Sequence, residues 1–154
     1  MSRRRFLLAL GLVGVITAIA YGIVRFPSYR FVTSFDRAVL LIKNTGDINH
    51  TSIAIRAAKL CRTQHDRTVV ERRCLESLSE KHGHGMARYV AAYVLIEGCS
   101  EVSEETIQHL MRLLDDREFT PTDHENLQFL LDCLIRKKSG LSPPREYGTA
   151  WPKD

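Results

Sequence analysis

Nineteen consecutive residues without a charge, Phe6–Val24, follow three arginines at the head of the chain. About 20 apolar residues are enough for a helix to cross a hydrocarbon core. The run therefore divides the chain into a head suited to lipid or to an export machinery and a body that must fold in water. Positive charges flanking an apolar helix stay on the cytoplasmic side, so Arg3, Arg4 and Arg5 place the N-terminus inside and the body outside. The division expected is a signal or membrane anchor over 1–24, a juxtamembrane linker over 25–33, a helical domain over 34–140 and a proline-containing tail over 141–154. In the linker, Phe26, Tyr29 and Phe31 alternate with arginines, a composition suited to the membrane interface.

The head Ser2-Arg3-Arg4-x-Phe6-Leu7 resembles a twin-arginine translocation signal, with Leu8 where a lysine often stands. Such a signal is an address read by a receptor; the resemblance implies export of a folded chain across a bacterial inner membrane. Arg3, Arg4, Phe6 and Leu7 are its targeting residues. Ala18-Ile19-Ala20 offers the small-x-small pattern of a cleavage site, which would release the body into the periplasm. The apolar run exceeds the usual 7–15 residues of a signal core, and retention as a single-pass anchor is the expectation.

Of the formal charge of +4, three units belong to Arg3, Arg4 and Arg5, leaving the body at +1. A nucleic-acid-binding body needs a basic stripe. Arg72-Arg73 and Arg136-Lys137-Lys138 are short clusters, the second suited to a helix C-terminus, so no nucleic-acid partner is expected. Four cysteines, Cys61, Cys74, Cys99 and Cys133, lie far apart in sequence. Outside the cytoplasm an even count permits two disulfides in three connectivities. The alternative is burial as small apolar residues, since Cys133 lies between Leu131 and Leu134.

The body reads as all-α, about six short antiparallel helices in a compact bundle, with a small α-solenoid as the second architecture. Ser34 is a candidate cap for a helix with Phe35, Ala38, Val39 and Ile42 on one face, stopped at Gly46. Asp47 or Thr51 opens a second, with Ile53, Ala57, Leu60 and Cys61 at helical spacing. Asp66 is a candidate cap for a third, through Val70, Cys74 and Leu78 to near Gly83. The fourth, about Met86 to Glu97, is apolar almost all round and belongs at the centre; Gly98 stops it. Ser103 caps the fifth, with Ile107, Leu110, Met111 and Leu114. Thr120-Pro121-x-Asp123 begins the sixth, with Leu127, Leu130, Leu131 and Leu134, ended by Gly140. No fixed repeat of residue identities accompanies the helix spacing.

Reactive constellations are sparse. His82-Gly83-His84-Gly85 places two imidazoles close together, but a metal site needs three or four convergent ligands, and a tight helix connection accounts for the glycines. Glu104-Glu105 and Asp115-Asp116 are neighbours that do not face each other on a helix. No nucleophile elbow, phosphate-binding glycine loop, dinucleotide fingerprint or haem-attachment site occurs, and no cofactor is expected. The tail carries Tyr147 and Trp151, candidates for contact with a partner.

Leu40-Leu41, Thr45-Gly46-Asp47-Ile48, Ala54-Ile55-Arg56, Ala58 and Leu60, with Phe119-Thr120-Pro121 before a helix, resemble the helical start of small subunits of membrane-bound, FAD-dependent sugar and alcohol dehydrogenases. Those subunits also carry a twin-arginine head. The aromatic helix segment and the cysteine- and tryptophan-bearing C-terminus of that family are not matched. The resemblance implies a non-catalytic escort that binds a flavoprotein large subunit and is exported with it. The residues by themselves point to a membrane-anchored, non-catalytic accessory protein that binds a protein partner. A small metal-binding protein using His82 and His84 is the further alternative.

Overall fold

Phe31 and Phe35 stand one helical turn apart and both are wholly buried. The stripe they begin continues through Ala38 and Ile42, and it makes the first helix longer at its start than its capping residues suggest. The computed structural model describes residues 26–81 and 85–142, together with Leu12 and Gly14. Helix α1 runs Pro27–Thr45, with proline at its first position, where a missing N–H costs nothing. It ends at Gly46, whose φ of 70° lets the chain reverse. The expected linker over 25–33 is thus corrected: from Pro27 on it is helix, Phe31 belongs to the core, and Ser34 lies inside α1 rather than capping it. Phe26 and Tyr29 remain exposed.

Asp47 caps a short 3₁₀ turn, Ile48–His50, by accepting from the Asn49 N–H, and α2 follows over Thr51–Lys59. The inward residues of α2 are Thr51, Ala54 and Ala58, while Leu60 points outward. Helix α3, Gln64–Ser79, is capped by Thr63, with Asp66 three residues on. Helix α4, Gly85–Tyr93, widens into a π-helical turn, Val94–Gly98, closed by the Cys99 N–H donating to the Val94 carbonyl at 3.1 Å. Val90, Ala91, Ala92, Val94 and Leu95 have no exposed surface, so the nearly all-apolar segment is central, as its composition requires. Helix α5 is Glu104–Leu114, capped by Ser103, and α6 is Pro121–Lys138, opened by a Thr120/Asp123 capping box. Gly140, also at φ 70°, ends α6, with Gly140 N–H and Leu141 N–H closing back on the Lys137 and Arg136 carbonyls.

The described residues form helices and no strand. Packing follows chain order. Helix α1 lies on α2, α3 on α4, and α5 on α6; α1 meets α3 and α3 meets α5 on one side, while α2 and α6 flank the α4 π turn on the other. This nearest-neighbour stacking of three hairpins is the order of the solenoid alternative. Among the described residues no helix is long and apolar enough to cross a membrane; Phe6–Val24 lies outside them, apart from Leu12 and Gly14.

Candidate functional site

Two buried acids, Asp66 and Glu71, and one buried arginine, Arg88, join one helix to another. Asp66, in the first turn of α3, accepts from the Thr63 hydroxyl at 2.7 Å and also from Ser28 at the start of α1. Burial pushes its pKa up, but the hydrogen bonds from Thr63 and Ser28 outweigh that and hold it below the ordinary carboxylate value. Glu71, also buried on α3, accepts from the Ser103 N–H at 3.2 Å, from the Ser103 hydroxyl, and from the Thr106 hydroxyl at 2.5 Å. It thereby serves the N-terminus of α5, where a negative charge complements the helix dipole. Arg88 on α4 donates to Asp123 on α6 and to the Glu80 carbonyl, and lies over the Phe119 ring at 5.1 Å. These anions act inside the fold: each replaces lost hydration with several donors.

Three of the concave regions among the described residues bear on this framework. A pocket of about 260 Å³ lies over the Arg88–Asp123 pair, lined also by Met86, Phe119, Thr122 and Asn126. There the Arg88 Nε is buried without a partner. A groove of about 640 Å³ runs between α3 and α5, lined by Arg72, Leu75, Glu76, Glu105, His109 and Arg112 among others. His109 Nε2 lies 3.1 Å from the Ser79 hydroxyl on its wall. Burial, then the neighbouring Arg112, hold that imidazole below its ordinary pKa.

The third region is a cleft of about 510 Å³ where the ends of α2, α4 and α6 meet the first turn of α3. Lys59, Arg62, Arg67 and Lys137 bring four cations to it, against the carboxylate of Glu97. The Lys137 ammonium donates to the carbonyls of Ile96 and Cys99, which the π turn leaves outside the regular helix ladder. Burial, with Lys59 nearby, holds that ammonium below its ordinary pKa. Arg67 reaches the exposed Glu101 at 3.5 Å, while its Nε is buried with no hydrogen-bond partner.

All four cysteines are buried free thiols. The two disulfides their number permits are not formed, and the apolar reading of Cys133, 1 % exposed in the core, holds. Cys61 and Cys99 line the basic cleft. Burial, then Asp66, pushes the Cys61 thiol up to about 11, and burial, then Glu71, pushes Cys99 up to about 12. Burial raises Cys74 and Cys133 as well.

Of the other residues singled out from sequence, Arg3, Arg4, Phe6, Leu7, His82, His84, Tyr147 and Trp151 lie outside the described residues. Among the described residues no group of three His, Cys, Asp or Glu side chains could hold a metal ion. The basic cleft was not visible in the sequence, because three of its cations lie within residues 59–67 and the fourth, Lys137, joins them only through packing. Lys137 alone carried a signal, as a basic residue in the last turn of a helix. Comparison of the chain with protein-family models, curated proteins and solved structures gave no match in any of the three.

Proposed function

We propose that this chain is a helical accessory protein, anchored in a bacterial inner membrane by Phe6–Val24, that holds a protein partner on the periplasmic side and catalyses no reaction of its own. The observation that carries the reading is the stacking of three helical hairpins in chain order. Stacks of this kind present long grooves used to bind other chains. The groove between α3 and α5 is such a surface: Arg72 and Arg112 are exposed along it, and Glu76 and Glu105 line it too. The buried carboxylates beneath are already committed to helix N-termini. Helix α1 begins at Pro27, so few residues separate the apolar run from the folded body.

The test is recovery of the tagged full-length protein from solubilised membranes, wild type beside the Arg72→Glu/Arg112→Glu double variant. A stoichiometric partner is expected with wild type, and at least about tenfold less of it with the variant, the loss of roughly 1.4 kcal/mol or more of binding energy. Repeated recovery of the chain alone, or undiminished partner with the variant, rejects the reading. A flavoprotein partner would assign the escort role that the dehydrogenase resemblance implies. Replacing Arg3 and Arg4 by lysine tests the address: the variant should stay on the cytoplasmic side, and normal export of it removes the twin-arginine route.

A further inference from the structure

We propose that the basic cleft between the ends of α2, α4 and α6 is a binding site for a phosphate-class oxyanion, carried by an anionic lipid headgroup or by a free phosphate. Lys59, Arg67 and Lys137 come from three helices and Arg62 from the connection between α2 and α3, and they line one concave space of about 510 Å³. Four like charges repel, and a fold that gathers them loses stability unless an anion offsets the repulsion. Four carboxylates are close: the buried Asp66 and Glu71, already hydrogen-bonded, act on the Cys61 and Cys99 thiols that line the cleft, and two more stand nearer the solvent. Glu97 lines the wall, and Glu101 stands at the rim, largely solvated, 3.5 Å from Arg67. Arg67 retains a buried Nε with no acceptor, on a side chain that lines the cleft and is 31 % exposed. The planar guanidinium fork suits a phosphate, and an ammonium adds a point charge to it.

Position supports the same chemistry. The antiparallel order puts the starts of α1, α3 and α5 and the ends of α2, α4 and α6 at one end of the stack. Ser28 at the start of α1 hydrogen-bonds Asp66, and Thr63, which caps the same helix as Asp66, lies between Arg62 and Arg67. The cleft thus lies at the end of the body where α1 begins. Exposed Phe26, Tyr29 and Leu60 lie in segments at that same end, a composition suited to the headgroup layer. The oxyanion site stands on the cleft alone; only the lipid source rests on the proposed anchor.

The experiment uses the full-length protein in neutral detergent micelles at constant ionic strength. Its thermal midpoint is followed while inorganic phosphate replaces chloride, and separately while phosphatidylglycerol replaces phosphatidylcholine in mixed micelles. Arg67→Gln removes the orphaned donor, and Arg62→Gln removes an exposed cation with no packing role. A saturable upward shift is expected with phosphate, with phosphatidylglycerol, or with both, and each variant should weaken the midpoint concentration about tenfold or more. A response to phosphatidylglycerol alone identifies the headgroup, and a response to inorganic phosphate identifies a free oxyanion. No shift with either ligand, or a shift that both variants preserve, overturns the site. Because Arg62→Gln is a surface change, it remains informative if Arg67→Gln fails to fold.

Discussion

Gly98→Ala is the substitution that most directly tests how the π turn packs on α2. A Cβ at Gly98 would sit 2.8 Å from the Ala58 Cβ, and 3.5 Å from both the Ile55 carbonyl oxygen and Val94 Cγ1. The first contact decides the outcome, since two methyl groups fixed to their backbones cannot rotate apart and a helix must move instead. Overpacking of this kind costs about 1–3 kcal/mol. Opposing it, alanine is favoured over glycine in a helical segment by roughly 0.5–1 kcal/mol, and Gly98 has no positive φ to penalise the change. The balance is a loss of about 1–2 kcal/mol, or a fall in Tm of roughly 4–8 °C for a domain of this size. The assay is thermal unfolding followed by far-ultraviolet circular dichroism of the full chain in a neutral detergent. Ala58→Gly supplies the control: alone it costs about 1 kcal/mol of helix propensity, but combined with Gly98→Ala it removes the clashing methyl. The double variant should therefore be more stable than the sum of the singles by about 1 kcal/mol. An unchanged or raised Tm for Gly98→Ala, or strict additivity, would refute the close approach of the π turn to α2.

Three further outcomes follow from the buried groups. Asp66 has a folded-state pKa below its unfolded value of about 3.9, so its stabilisation is present above roughly pH 4 and lost as pH falls through the folded value; urea titrations against pH should show an acid limb that Asp66→Asn flattens. Glu71→Gln puts an amide among the Ser103 N–H and the Ser103 and Thr106 hydroxyls. It should cost about 2 kcal/mol by equilibrium unfolding, and a change under about 0.5 kcal/mol would argue against the helix-joining role. With the Cys61 and Cys99 thiols raised to about 11 and 12, well under ~1 % of either is thiolate at pH 8. A thiol reagent should then leave all four cysteines nearly unreacted in the native protein and modify them rapidly in urea; fast native labelling contradicts their burial.

The contrast between helix ends and helix contacts explains what could be read from the residue order. Ser103, Thr120 with Asp123, Gly46 and Gly140 act on backbone groups within about four residues of themselves, and each does at its helix end what its type predicts. Asp66 read as the cap of α3, but the cap is Thr63, three residues earlier, and Asp66 lies in the first turn, where its N–H donates to the Thr63 hydroxyl. Phe31 read as an interfacial aromatic because its arginine-flanked surroundings are local, whereas its burial is decided by α1 packing on helices remote in sequence. Leu60 shows the converse, falling at core spacing yet pointing outward because α2 ends one residue before it. Gly98 read as a stop, but its requirement comes from Ala58, forty residues earlier in the chain.

By itself the sequence determined an all-helical body, the number of its helices, most of their ends and the central place of the Val90–Leu95 segment, because capping and periodicity are short-range. It also set the head apart through Phe6–Val24. Only the tertiary structure decided that α1 starts at Pro27, that the helices stack as successive hairpins, that Asp66 and Glu71 join helices, and that Lys59, Arg62, Arg67 and Lys137 share one cleft. Those outcomes depend on pairs of residues far apart along the chain, whose distance is set by packing and leaves no mark in local pattern.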